Sequence, residues 1–210
     1  MNDLEKYLSK YDLIFWDFDG VIKDSIDVKT DAFYEIFLQF GKNISDLVKI
    51  HHEMNGGMSR YEKIPIYLKL ANQKPDEFLV QKISEDFSKK VVQRVINSPW
   101  VEKTKKYLDE YHHLKRFVLV TATPSFEIKY ILKSLEIDYY FQVIYGAPID
   151  KCYAIQEYLK NNKIPSGCAV MVGDSRGDMD AAIRNNIDFV LRKTSYNKDL
   201  LNTGNFNQFK

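Results

Sequence analysis

The sequence predicts an α/β fold, a doubly wound parallel sheet interrupted by an inserted all-helical unit, and three observations carry that expectation. Five short apolar runs read as strands: Leu13 to Phe18, Arg116 to Thr121, Phe141 to Tyr145, Cys168 to Gly173 and Ile187 to Leu191. They are continuous rather than alternating, which is how strands covered by helices on both faces read. Single stretches of helical period separate the last four, such as Ile128, Ile131, Leu132 and Leu135, then Ile155, Tyr158 and Leu159. The gap between the first two runs breaks this rhythm, because residues 24–98 carry helical patterns and no convincing strand.

A chain of 210 residues exceeds one average domain and falls short of two large ones. The partition expected is a core of residues 1–23 and 99–210 with a helical insertion at 24–98. Within the insertion, Ala32, Phe33, Ile36, Phe37 and Phe40 keep the 3/4 spacing, and Gly41 can stop that helix. Ser59 and Glu62 form an S-x-x-E capping box that opens another helix. Pro75 precedes a long helix expected over about 76–96, and Pro99 follows it. Lys193 to Lys210 is polar and Asn-rich, and is expected to be a loosely held tail.

Composition excludes several classes of function. The formal charge of +1 suggests no nucleic-acid partner, and no segment approaches the roughly 18 apolar residues that span a bilayer. Asn2 to Asp12 mixes acids and lysines, unlike a signal peptide, so a cytoplasmic protein is expected. Cys152 and Cys168 are too few for a disulfide scaffold and are expected to be reduced packing residues. No feature of the sequence sets an oligomeric state.

Chemistry concentrates at the ends of the strands. Asp17 and Asp19, in Asp17-Phe18-Asp19-Gly20, close the first apolar run and converge if the strand continues. Two like charges buried at a strand tip are costly without a cation, which points to a metal or phosphoryl site. A second acidic motif, Gly173-Asp174-Ser175-Arg176-Gly177-Asp178, closes the fourth run. Thr121 ends the second run and Lys151 opens the helix after the third. All of these groups fall at carboxyl ends of strands, where open α/β sheets bind ligands.

In order and spacing, Asp17-Phe18-Asp19-Gly20, Thr121, Lys151 and Gly173-Asp174 through Asp178 resemble the four motifs of the haloacid dehalogenase-like phosphohydrolase superfamily. The insertion resembles its type 1 helical cap on a Rossmann-like core, in the branch of phosphoglycolate phosphatases and β-phosphoglucomutases. The resemblance implies a Mg²⁺-dependent phosphatase acting on a small phosphate monoester, with Asp17 as nucleophile through an aspartyl-phosphate. Asp19 is then the acid and base, Thr121 binds a phosphoryl oxygen and Lys151 offsets charge. Mg²⁺ is assigned to Asp17, the Asp19 backbone carbonyl and Asp174, with Asp178 as ligand or supporting partner.

The diglycine Gly56-Gly57 before Arg60 resembles a cap specificity loop, so Gly57 and Arg60, together with Ala122 beside Thr121, are candidate substrate contacts. Arg60 alternatively pairs with a nearby acid such as Glu62 or Glu53, and Lys63 is a weaker candidate of the same kind. His51 and His52 face different sides of a helix and do not suit zinc. A sugar-phosphate mutase also fits both aspartates, although such mutases usually carry a cap histidine where this chain has Lys29. Receiver-type signalling domains share a phosphorylated aspartate, a threonine and a lysine, but in a different order and without a cap.

Overall fold

The computed structural model describes residues 3–204 and 206–210. Met1, Asn2 and Asn205, parts of the segments considered above, lie outside the described residues. Six parallel strands form one sheet in the order β3-β2-β1-β4-β5-β6: β1 Leu13–Trp16, β2 Arg116–Pro124, β3 Val143–Ala147, β4 Ala169–Gly173, β5 Asp188–Arg192 and β6 Asn207–Phe209. The central strand β1 pairs on both sides, with Phe15 between Val118 and Met171.

Strand alternation explains the two cores. Ile14, Trp16, Phe117, Leu119, Val170 and Val172 point to one face, against α1 (Asp3–Leu8), α6 (Glu102–Tyr111) and α7 (Ser125–Ser134). Leu13, Phe15, Val118, Val120, Ala169 and Met171 point to the other, against α8 (Lys151–Asn161) and α9 (Arg176–Arg184). Both faces are covered, which is why the strands read as continuous apolar runs.

Between β1 and α6 the insertion contributes four α-helices among the described residues, α2 Ile26–Phe37, α3 Lys42–Met54, α4 Arg60–Leu70 and α5 Glu77–Asn97. Their aromatic stripes meet: Phe33 stacks on Phe87 with ring centroids 4.0 Å apart, and Tyr67 meets both Phe33 and Phe37 edge to face. The amide and hydroxyl of Ser59 donate to Glu62 at 3.0 and 2.6 Å, starting α4. Asp76 accepts from the Leu79 amide at 2.8 Å and caps α5.

The tail departs from expectation. The described residues of this tail, 193–204 and 206–210, are tied into the core: Leu200 and Phe209 are buried, and β6 extends the sheet beside β5. Asn197 is buried as well, and its Nδ2 donates to the carbonyls of Asp174 at 2.7 Å and Arg192 at 2.8 Å. A polar composition hid this because the anchors are single residues, each paid for by long-range contacts. Strand limits also shift: β1 stops at Trp16, two residues early, and β2 runs on to Pro124. Cys168 lies exposed in a turn before β4 rather than packing inside, whereas Cys152 is half-buried, and both thiols are free.

Candidate active site

The early end of β1 separates the two aspartates. After Asp17 the chain turns, with the amides of Ile22 and Lys23 donating to the Phe18 carbonyl at 2.8 and 3.1 Å. Gly20 permits this turn at φ +76°, and a Cβ there would lie 2.3 Å from an Asp174 oxygen. Asp17 and Asp19 therefore face one cavity through different partners.

Asp17 belongs to a cluster with Asp174 and Asp178, in which one carboxylate oxygen from each lies within 4.8 Å of the others. Lys151 Nζ bridges Asp17 at 3.0 Å and Asp178 at 2.6 Å. As the first residue of α8 this cation opposes the helix dipole, so the carboxylates are what hold it there. They also keep its ammonium well above the ordinary lysine value despite burial. Burial and the charge of Asp178 push Asp17 up to about 7, and burial with Asp17 and Asp178 pushes Asp174 well above the carboxylate range.

The three acids are held differently. The second oxygen of Asp178 accepts from the Ser175 amide at 3.0 Å and hydroxyl at 2.6 Å, so both of its oxygens are engaged. The Asp174 side chain has no hydrogen-bond donor or ion-pair partner among the described residues, while Asn197 clamps its carbonyl. Three carboxylates against one ammonium form an oxygen-rich, negatively charged site, and an unpartnered carboxylate at its edge suits a hard divalent cation.

Asp19 sits in a cationic, hydroxylic setting. Its oxygens accept from Ser25 at 2.6 Å, from Thr123 at 3.0 Å and from Lys29, which also donates to Thr123 at 2.8 Å. Burial opposes ionisation of Asp19, but the charge and hydrogen bonds of Lys29 outweigh it and hold the carboxyl below its ordinary value. Thr121 is buried at the same end of β2, its hydroxyl accepting from the Thr123 amide at 3.2 Å, and Ala122 lines the cavity.

The insertion closes the other wall. Gly56 and Met58 line the cavity, whereas Gly57 packs on the core: a Cβ there would stand 2.5 Å from Ser175 Oγ. Arg60 lines the cavity, but its guanidinium forms a buried two-point pair with Glu127 of α7 at 2.6 and 3.0 Å, adds Ser88 at 2.6 Å, and lies over the Phe87 ring. The partner is neither Glu62 nor Glu53. Sequence reasoning missed Ser25, Thr123 and Glu127 and did not foresee the pairing of Lys29 with Asp19. The run Thr121-Ala122-Thr123 and the one-turn interval between Ser25 and Lys29 were the available signals.

The model of the haloacid dehalogenase-like hydrolase family matches residues 14–191. The chain belongs to that family. Solved structures agree in fold at low identity. A haloacid dehalogenase-like hydrolase from Streptococcus pneumoniae is 19% identical, with 96% of this chain and 95% of that one covered and a TM-score of 0.71. CbbY from Rhodobacter sphaeroides, solved with phosphate and with xylulose-(1,5)bisphosphate, is 16% identical, with coverage of 95% and 93% and a TM-score of 0.74. A predicted phosphoglycolate phosphatase from Haemophilus somnus is 18% identical, with coverage of 90% and 87% and a TM-score of 0.68. No curated protein matches this chain. No helix among the described residues is long and apolar enough to cross a membrane.

Proposed function

We propose that the protein is a Mg²⁺-dependent phosphatase that hydrolyses a small phosphate monoester through an aspartyl-phosphate on Asp17. The observation that carries this reading is the carboxylate cluster: Asp17 opens on a shared cavity beside Asp174, Asp178 and the bridging Lys151. Asp17, Asp174 and the carbonyl of Asp19 would hold the ion, with Asp178 supporting Lys151. When bound, Mg²⁺ neutralises charge on the phosphoryl oxygens.

Lys151 keeps Asp17 oriented, and its ammonium offsets charge as the Asp17 oxygen meets phosphorus. The buried Thr121 hydroxyl offers a hydrogen bond to a phosphoryl oxygen. Ser25, Lys29 and Thr123 hold Asp19 ionised in the ligand-free protein, the form that takes a proton from the attacking water. To act first as the acid for the leaving oxygen, it takes up a proton as the substrate binds and displaces these contacts. The insertion screens the cavity from bulk water.

The test is phosphate release over a panel of small phosphate esters, with and without Mg²⁺. Turnover of at least one ester that is lost on chelation and restored by Mg²⁺ supports the reading. Absence of release from every ester, or transfer of phosphate within the substrate without release, defeats it.

A further inference from the structure

Three cationic side chains of the helical insertion line the cavity, and their partners differ. Lys29 meets Asp19, and Arg60 meets Glu127. Lys63, one turn beyond Arg60 on α4, has no carboxylate within 4.0 Å among the described residues. Its Nζ lies instead 3.0 Å from His52 Nδ1 of α3. Lys63 is only 2% exposed, and His52 is 6% exposed.

This pair is unusual because it buries a cation against a neutral partner. Burial and the charge of Lys63 hold His52 well below its ordinary value, so the imidazole is neutral and Nδ1 accepts the hydrogen bond. Lys63 itself is pushed down to about 7 by burial and by Lys29. One of its three ammonium donors is occupied by His52, which leaves two without an acceptor among the described residues. The adjoining wall is aromatic, with Phe33 5.1 Å from the His52 ring and stacked on Phe87, so a charge-assisted contact there is poorly screened.

We propose that Lys63, oriented by His52, is the subsite for a second anionic group, a carboxylate or a phosphate, at the end of the substrate remote from the ester phosphate. The inference rests on the phosphatase reading and names its substrate class: small phosphate monoesters with an anionic tail. Arg60, already satisfied by Glu127 and Ser88, braces the insertion against the core and leaves the tail to Lys63.

Steady-state kinetics on three esters of similar size test it: phosphoglycolate, a short polyol bisphosphate, and glycerol phosphate with its neutral tail. The expected result is a kcat/KM preference of about 30-fold for an anionic-tailed ester over the neutral one, the size of one charge-assisted hydrogen bond. The carboxylate and bisphosphate arms identify the anion. In Lys63→Met that ratio collapses toward unity, and a ratio left intact overturns the subsite.

Binding of phosphonoacetate and propylphosphonate to the wild-type protein, measured by calorimetry, needs neither turnover nor a variant. Tighter binding of phosphonoacetate by a similar factor supports the subsite, and equal binding of the two overturns it. Hydrolysis with no anionic preference defeats the subsite and leaves the phosphatase reading standing. Selective phosphonoacetate binding without turnover of any ester does the reverse.

Discussion

The two walls of the cavity are opposite in charge and in how that charge is balanced. On the core side, Asp17, Asp174 and Asp178 surround a single ammonium from Lys151, so acid is in excess. On the insertion side, Lys29 and Arg60 have carboxylate partners while the hydrogen-bond partner of Lys63 among the described residues is the imidazole of His52, so base is in excess. Buried charge without a partner is costly, and each wall lacks what the other has. A ligand with a cation at one end and an anionic tail at the other satisfies both. The difference teaches that a substrate site is found where ionic balance is left incomplete, and that a well-paired charge such as Arg60 is a weaker candidate than its position suggests.

The largest effect expected is at the acidic wall. Asp17→Asn removes the proposed nucleophile and, on that reading, should lower phosphate release by at least about 10⁴-fold while the fold persists. If the proposed site binds Mg²⁺, the ion should raise the melting temperature of the wild-type protein and raise that of Asp17→Asn less, a readout independent of turnover. Full residual activity would break the contrast at its root.

Breaking the well-paired charge comes next. Glu127→Ala strands a buried guanidinium and should cost about 3–5 kcal/mol in urea unfolding. Replacing both partners, Arg60→Met with Glu127→Leu, should recover most of that loss, because neither charge is then left alone. A double variant no better than the single one would mean that the pair does more than brace the insertion.

The smallest effect concerns stability at the basic wall. Lys63 has a folded value of about 7 against an ordinary 10.5, so between those limits the unfolded chain binds a proton that the folded protein does not. Wild-type stability attributable to Lys63 therefore rises with pH through that window. Lys63→Met should be the more stable protein below about pH 7, by a few kcal/mol at most, with the gap closing toward about pH 10. A gap that stays constant with pH would show that the ammonium is compensated in the ligand-free protein.

Much of this organisation was legible in the chain. The continuous apolar runs announced a sheet covered on both faces, and the polar residues closing them marked the end of the sheet where the cavity opens, because strand period and burial are local properties of sequence. The Ser59–Glu62 capping box, the Asp76 cap and the prolines that bound the inserted helices are local signals of the same kind. Local signals failed where a residue's role depends on a distant partner. The Asn-rich tail gave no hint that Asn197 clamps Asp174 or that Phe209 is buried beside the sheet.

Sequence by itself determined the α/β order, the helical insertion and the Asp17, Thr121, Lys151 and Asp174 positions, since each follows from periodicity or from where a strand ends. Only the tertiary structure decided which charges are spent on one another. Arg60 finds Glu127 67 residues away, Lys29 finds Asp19 and Thr123 across the cavity, and Lys63 is left with a neutral imidazole. The physical reason is that lysine and glutamate are common at every surface, and a charge acquires its meaning from burial and from the sign of what folding sets beside it.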